Sequence, residues 1–190
     1  MFFRVVNIND FSDIEIHAAL SDMPLNQQEY IRNKKQILSR KQSIVSRILL
    51  KELLFENFDI TDGYNIDFKA SGKPFYANSK DVHFSISHSG DFVGVVVSNK
   101  PVGIDIQVDK SVNEKLMEKV CTKEEMNYLE NVSKREFIKL WTVKEAYSKC
   151  SEISLFDVFK LSFVKDGSIC GLDKTLHCFT NGLYELSIIE

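Results

Sequence analysis

The sequence has few of the features that mark specialised classes of protein. Its 190 residues include only three prolines and eight glycines, and no Gly/Ser/Pro-rich linker divides the chain. The apolar runs have the length of strands and fall far short of a membrane span. The N-terminus, Met1-Phe-Phe-Arg, lacks the basic start and long apolar core of a secretion signal. These absences favour a globular cytoplasmic protein over a disordered, secreted or membrane-spanning one.

Cysteine and charge exclude further classes. The four cysteines show no CxxC or zinc-finger spacing, so we expect reduced, packed thiols. They are Cys121, Cys150, Cys170 and Cys178. A formal net charge of −3 argues against general nucleic-acid binding.

One stretch of the chain reverses this acidic balance. Between Ile31 and Lys51 there are seven basic residues and no acidic one. They are Arg32, Lys34, Lys35, Arg40, Lys41, Arg47 and Lys51. Two interpretations stay open, a solvated helix face or a surface for a polyanionic ligand or an acidic partner.

The order of periodic segments predicts an α+β chain. Helix spacing covers 26–57, with a break near Ser39, and again 112–120, 122–132 and 134–151. Strands are predicted at the N-terminus and at 65–70, 82–88, 92–99, 102–108, 159–164, 175–180 and 183–189. Thr122 with Glu125, and Ser133 with Glu136, have the spacing of capping boxes. The succession strand, helix, strands occurs twice, which indicates two similar α+β halves, residues 1–100 and 101–190.

The strand at 102–108 carries an unusual acid. Val102, Ile104 and Ile106 share one face, and Gly103, Asp105 and Gln107 share the other. Asp105 can be a solvent-facing acid, yet aspartate is disfavoured between β-branched neighbours. A glycine two residues earlier would leave room for a ligand.

The helix at 134–151 carries a second acid. Ile138, Trp141, Glu145 and Lys149 follow one stripe that begins apolar and ends ionic. An exposed Glu145–Lys149 pair is one interpretation, and a ligand site is the other. Two carboxylates on separate elements suit Mg²⁺, which prefers oxygen ligands.

Two turns are weaker candidates for anion binding. Ser87-His88-Ser89-Gly90 near a predicted hairpin tip offers hydroxyls, an imidazole and backbone N–H groups to a phosphate, or simply completes the turn. The basic turn at Lys73-Pro74 is less specific still.

In order along the chain, these segments resemble the 4′-phosphopantetheinyl transferases of the surfactin-synthetase-activating type. The markers are Gly72-Lys-Pro74, Phe84-Ser-Ile-Ser-His-Ser-Gly90, Val102-Gly-Ile-Asp-Ile-Gln107 and Trp141-Thr-Val-Lys-Glu-Ala-Tyr-Ser-Lys149. The resemblance implies two halves related by a pseudo-twofold axis, with coenzyme A and Mg²⁺ in the cleft between them. It also implies transfer of the phosphopantetheine arm to a serine of an apo acyl or peptidyl carrier protein, with release of adenosine 3′,5′-bisphosphate. The length of 190 residues and the two-half layout favour a monomer.

The same resemblance implies residue roles. Asp105 and Glu145, with Gln107, would hold the metal, and Glu145 would be the base. Lys149 would contact the phosphates, Lys73 and Pro74 the nucleotide, and Ser87 and His88 a phosphate. Ser43 and nearby basic residues would hold the 3′-phosphate. Family members often grip that phosphate with N-terminal lysines, and Gln27 and Tyr30 fall near those places in this chain.

Gln107 departs from the family pattern, which usually has a third acid there. Its amide oxygen can ligate, or a water can replace it. The departure keeps open a non-catalytic module that binds coenzyme A or a carrier. Two further assignments stay open. One is a trimeric carrier-protein synthase with one half per chain, which the length argues against. The other is an unrelated Mg²⁺-dependent phosphohydrolase.

Overall fold

The chain forms two compact units, Met1–Lys100 and Pro101–Glu190. The computed structural model describes residues 1–69, 72–108, 114–130 and 132–190. Within those residues, no helix is both long and apolar enough to cross a membrane.

All four cysteines are free thiols. Burial, together with the nearby Glu125 charge, raises the pKa of the Cys121 thiol to about 12.

The first unit consists of a long helix and an antiparallel sheet with smaller elements around them. Its helices are α1 (Asp13–Asp22), α2 (Leu25–Arg32) and α3 (Ile37–Phe58), and its strands are β1 (Phe2–Asn7), β2 (Ile66–Phe68), β3 (Pro74–Tyr76), β4 (His83–Ser89) and β5 (Phe92–Ser98).

The main sheet of this unit has the order β1-β5-β4. Its core side includes Val93, Val95 and Val97, alternate residues of β5 that are fully buried. They belong to one apolar cluster with Leu49 and Leu53 of α3. A two-residue turn at Gly90–Asp91 joins β4 to β5, and the positive φ of Gly90 suits that turn.

Two helix predictions for this unit need correction. The predicted break near Ser39 is wrong, because the helix is interrupted at residues 33–36 and Ser39 lies inside α3. Helix α1 has no counterpart among the predicted elements. None of its residues is fully buried, and its apolar stripe is short: Ile16, Ala19 and Leu20 are half-buried against the cluster of Met23, Ile31 and Ile44. The capping box that Ser12 forms with Glu15 is a second local signal.

The second unit repeats the same arrangement. Its helices are α4 (Glu114–Val120), α5 (Lys123–Leu129), α6 (Lys134–Ser151) and α7 (Leu155–Val158), and its strands are β6 (Gly103–Val108), β7 (Val164–Lys165), β8 (Ser168–Ile169), β9 (Leu176–Thr180) and β10 (Tyr184–Ile189).

In each unit the first strand pairs with the last, and the last also pairs with the strand before it. This gives the order β6-β10-β9 in the second unit and β1-β5-β4 in the first. A long helix, α3 or α6, packs on each sheet. The prediction of an α+β chain with two halves of similar build is therefore confirmed.

Some of the elements predicted for the second unit are confirmed and others are wrong. The helix over 134–151 and the capping box of Thr122 with Glu125 are confirmed. The second capping box is wrong: Ser133 caps α6 without a side-chain hydrogen bond, and the Glu136 carboxylate accepts a hydrogen bond from the Tyr128 hydroxyl instead. The strand at 159–164 is also wrong, because strand structure begins only at Val164. Residues 112 and 113 of the predicted helix at 112–120 lie outside the described residues.

Candidate active site

Asp105 lies on the face of β6 that α6 covers. It is 6% exposed, so the interpretation as a solvent-facing acid is wrong. Its neighbours Ile104 and Ile106 point to the opposite face and are also buried. Its cross-strand partner is Ser187 of β10, whose hydroxyl lies 2.7 Å from that of Thr142 on α6. The strand and the helix are thus tied together beside the aspartate.

Gly103 allows this close packing. A Cβ added there would lie 2.0 Å from the Ala146 carbonyl oxygen and 2.6 Å from the Cys150 backbone nitrogen. The prediction that this glycine leaves room for a ligand is therefore corrected, because the backbone of α6 occupies the space.

Replacement of this glycine tests the packing. Gly103→Ala should lower the free energy of unfolding by roughly 3 kcal/mol, because a methyl group cannot fit against helix backbone. Urea unfolding measures the change. Gly182→Ala, whose Cβ meets no atom within 4 Å although φ is +89°, should cost less, about 1–2 kcal/mol. Equal losses in the two variants would contradict this account.

Glu145 and Lys149 stand one turn apart on α6, beside Asp105. The Lys149 ammonium lies 2.7 Å from Asp105 Oδ1 and donates to the Ile104 carbonyl at 3.0 Å. Burial, and next the negative charge of Asp105, raise the pKa of the Glu145 carboxyl, whereas Lys149 acts in the opposite direction. We call Asp105, Glu145 and Lys149 the acid–lysine cluster. The interpretation of Glu145 and Lys149 as an isolated exposed pair is wrong, because Lys149 binds Asp105.

Gln107 is on the same face of β6, two residues beyond Asp105. It is half-buried and pairs across the sheet with Glu185. The Glu185 side chain is 7% exposed and is bound by Arg135 of α6. The carboxylate nearest in register to Gln107 is therefore already neutralised by an arginine.

The donors of the cluster fit a divalent cation that prefers oxygen. Asp105 and Glu145 are close enough for the charge of one to raise the pKa of the other, and a shared cation would relieve that repulsion. Within the described ranges there is no group of three or more His, Cys, Asp or Glu side chains that suits a metal. Two carboxylates and an amide oxygen suit Mg²⁺, which commonly retains waters and binds substrate phosphates.

A fully buried ion pair supports the helix next to Glu145. Lys144 and Glu125 are 1% and 0% exposed and lie 2.7 Å apart. Lys144 also donates to the carbonyls of Val120 and Leu161. Glu125 accepts from the backbone N–H of Phe163 at 2.9 Å. Sequence patterns do not predict this pair, and its only local signal is the Thr122–Glu125 capping box.

The other candidate residues belong to the first unit. Lys73 is half-buried and precedes β3, and Pro74 begins that strand opposite Phe68. Ser87 is 7% exposed and His88 is exposed. Both lie within β4, so their side chains point to opposite faces of the sheet. Ser85 and Ser89 are buried on the same face as Ser87.

The basic run contains one buried member that the sequence did not distinguish. Arg47 is 5% exposed and lies one turn beyond Ser43, which is 6% exposed. Its guanidinium donates to Gln27 Oε1 at 3.5 Å and to Ser46 Oγ at 3.3 Å. Burial lowers the pKa of the guanidinium, and the nearby Tyr30 partly offsets this. Arg32, Lys35 and Arg40 are exposed, as a solvated face requires.

Comparison with known proteins gives both units the same assignment. Residues 11–100 match the family model "4'-phosphopantetheinyl transferase, N-terminal", and residues 101–181 match "4'-phosphopantetheinyl transferase superfamily". The chain belongs to the 4′-phosphopantetheinyl transferase superfamily. The predictions of this family and of a transferase enzyme are confirmed.

Several transferases have related sequences. The chain is 33% identical to the 4'-phosphopantetheinyl transferase gsp of Aneurinibacillus migulanus over 129 residues, which are 65% of this chain and 53% of that protein. It is 26% identical to 4'-phosphopantetheinyl transferase Sfp of Bacillus subtilis over 179 residues, 82% of this chain and 80% of that protein. The match to the L-aminoadipate-semialdehyde dehydrogenase-phosphopantetheinyl transferase of Candida glabrata is 28% identical, covering 79% and 63% of the two chains. The match thus spans about half of the Aneurinibacillus protein and four fifths of the Bacillus one.

Proposed function

We propose that the protein transfers the 4′-phosphopantetheine group of coenzyme A to a serine hydroxyl of an apo acyl or peptidyl carrier protein. The observation that carries the proposal is the acid–lysine cluster, in a chain of this superfamily. In one step the serine Oγ bonds to the phosphorus that bears pantetheine, and the P–O bond to the other phosphate of the diphosphate breaks. Adenosine 3′,5′-bisphosphate leaves with the electron pair of that bond.

In this mechanism Glu145 accepts the serine proton, directly or through one water. A serine hydroxyl is a weak nucleophile without a base. In the metal-free protein, burial and the Asp105 charge raise the pKa of the Glu145 carboxyl. Lys149 offsets the negative charge that grows on the departing bisphosphate. No covalent enzyme intermediate is required, so positioning and charge stabilisation supply most of the acceleration.

Asp105 and Glu145 would hold Mg²⁺, with the Gln107 amide oxygen or a water beside them. When bound, the ion would draw charge from the diphosphate oxygens. Gln107 supplies one negative charge fewer than an acid would.

The remaining contacts of coenzyme A are proposed for the first unit. Lys73 and Pro74 would contact the nucleotide, and Ser87 and His88 a phosphate. Ser43 and Arg47 would hold the 3′-phosphate. A guanidinium paired only with neutral acceptors in the described structure, Gln27 and Ser46, retains its charge for an anion.

Dephospho-coenzyme A, which lacks the 3′-phosphate, tests that last assignment. Arg47→Gln should raise KM for coenzyme A by about tenfold or more, since charged hydrogen bonds contribute roughly 1.5–3 kcal/mol, and should leave KM for dephospho-coenzyme A little changed. Arg40→Gln, an exposed neighbour that donates to the Lys34 carbonyl, should change neither value. Equal increases in KM for both substrates would show that Arg47 supports the fold and does not bind the 3′-phosphate.

The decisive experiment for the proposed function is incubation with coenzyme A, Mg²⁺ and a panel of apo carrier proteins, followed by intact mass measurement. A carrier that gains one phosphopantetheine supports transfer. Gln107 favours a second candidate, a module that binds coenzyme A or a carrier without catalysis. In that case coenzyme A binds while every carrier mass stays unchanged. Breakdown of coenzyme A without an acceptor protein would instead indicate a phosphohydrolase.

A further inference from the structure

The Lys149 ammonium is bound to Asp105, the carboxylate that a metal ion would need as a ligand. Its Nζ lies 2.7 Å from Asp105 Oδ1, and its contact with the Ile104 carbonyl at 3.0 Å holds it there. The side chains of Lys149 and Asp105 are 28% and 8% exposed, so water only partly screens the contact. A divalent ion at Asp105 would meet a positive charge already in place.

The charge balance of the cluster makes this competition strong. Two carboxylates and one ammonium carry a net charge of minus one, which a divalent ion would reverse. No carboxylate at position 107 offsets the reversal, and Glu185 across the strand is bound by Arg135. The diphosphate of a substrate would supply the missing negative charge. It would also give the ammonium, which is a point charge on a flexible stem, another anion to bind.

We propose that Lys149 is a tethered cation that competes with the divalent ion for Asp105 in the free enzyme and so makes metal binding depend on the diphosphate-bearing substrate. This inference rests on the proposed function, because coenzyme A is the ligand that would draw the ammonium away. Linkage requires the reverse effect as well: the metal strengthens coenzyme A binding by the same factor.

The test measures Mn²⁺ binding to the full chain by electron paramagnetic resonance, with no substrate present. Mn²⁺ takes the same oxygen ligands as Mg²⁺ and reports its own binding. Lys149→Met should tighten Mn²⁺ binding by about tenfold or more, since an adjacent unit charge shifts a carboxylate equilibrium by roughly one to three powers of ten. Lys149→Arg retains the charge and should stay near the wild-type affinity.

Two matched variants make the effect specific. Lys139→Met removes the same charge from α6 at a lysine that lies 3.8 Å from Glu136 and takes no part in the cluster, so it should bind Mn²⁺ like the wild type. Asp105→Asn, combined with Lys149→Met, should abolish the gain. Saturating coenzyme A should tighten Mn²⁺ binding to the wild type more than to Lys149→Met. Lys149→Gln serves as a second neutral variant, and thermal unfolding confirms that each protein is folded.

Unchanged or weaker Mn²⁺ binding by folded Lys149→Met or Lys149→Gln would overturn the inference. An equal gain from Lys139→Met would overturn it too, because the effect would then be one of general charge. The substrate-free measurement separates the two proposals. If Lys149→Met binds Mn²⁺ more tightly and the wild-type protein transfers nothing to any carrier, the result counts against the proposed function alone. Transfer without the Lys149 effect would count against the tethered cation alone.

Discussion

Glu145→Gln is expected to lower the rate of phosphopantetheine transfer by about 100- to 10,000-fold, the range that a general base contributes. The amide keeps the shape of the side chain but cannot accept the serine proton. It also removes one of the two carboxylates that suit the metal. The rate is measured from the mass of a carrier protein at saturating coenzyme A and Mg²⁺, so that a change in substrate affinity does not hide the change in kcat.

The matched control is Glu136→Gln on the same helix. Glu136 accepts a hydrogen bond from the Tyr128 hydroxyl and lies outside the cluster, so its loss should leave kcat near the wild-type value. An active Glu145→Gln enzyme would refute the assignment of Glu145 as the base.

The raised pKa of Glu145 makes the stability of the metal-free protein depend on pH. The folded state holds the proton more tightly than the unfolded state, so stability is lost as the pH rises from 4.5 through the raised pKa.

Glu145→Gln removes that dependence. In metal-free buffer at neutral pH the variant should therefore melt at a higher temperature than the wild type, and the difference should vanish below about pH 4.5. A variant that is less stable at neutral pH would contradict the environment described for Glu145.

Lys144→Met is expected to lower the free energy of unfolding by about 3–5 kcal/mol, the cost of leaving one member of a buried ion pair alone. Glu125 would retain its hydrogen bonds from Thr122 and Phe163 but lose its counter-charge. The carbonyls of Val120 and Leu161 would lose a donor. Urea unfolding monitored by circular dichroism measures the loss.

The double variant Lys144→Met/Glu125→Gln separates charge from packing. It removes both charges while the amide oxygen introduced at position 125 can still accept from Phe163, so it should be more stable than Lys144→Met alone. Lys160→Met breaks a surface pair with Asp157 and should stay near wild-type stability. A double variant no more stable than the single one would show that the lost lysine hydrogen bonds, not the unpaired charge, cause the loss.

Local patterns were enough to predict the elements that carry the cluster. The alternation around Asp105 and the helical spacing from Lys134 to Ser151 depend on neighbouring residues only, and both elements exist as predicted. The cluster itself needed two elements far apart in sequence to meet. The family resemblance suggested that meeting, whereas periodicity gave no sign of it.

The remaining features depend on tertiary contacts that a sequence pattern does not contain. In the sequence, Gly103 is equally compatible with a nearby ligand and with a closely packed helix, and only the position of α6 distinguishes the two. Arg47 is one of several basic residues in the same stretch of sequence, and nothing in that stretch shows that it alone is buried. Lys144 and Glu125 have ordinary surface chemistry and are 19 positions apart, so only the packing of α5 on α6 shows that they pair.

Because α6 rests directly on Gly103, the chain should tolerate evolutionary change unevenly. A one-residue slip of β6 would turn Asp105 to the opposite face and place a branched side chain against the helix backbone. Insertions and deletions should therefore be rare in lineages of this protein wherever they would alter that register. The exposed residues of α1 are free to diverge, whereas Ile16, Ala19 and Leu20 of that helix pack on a core cluster.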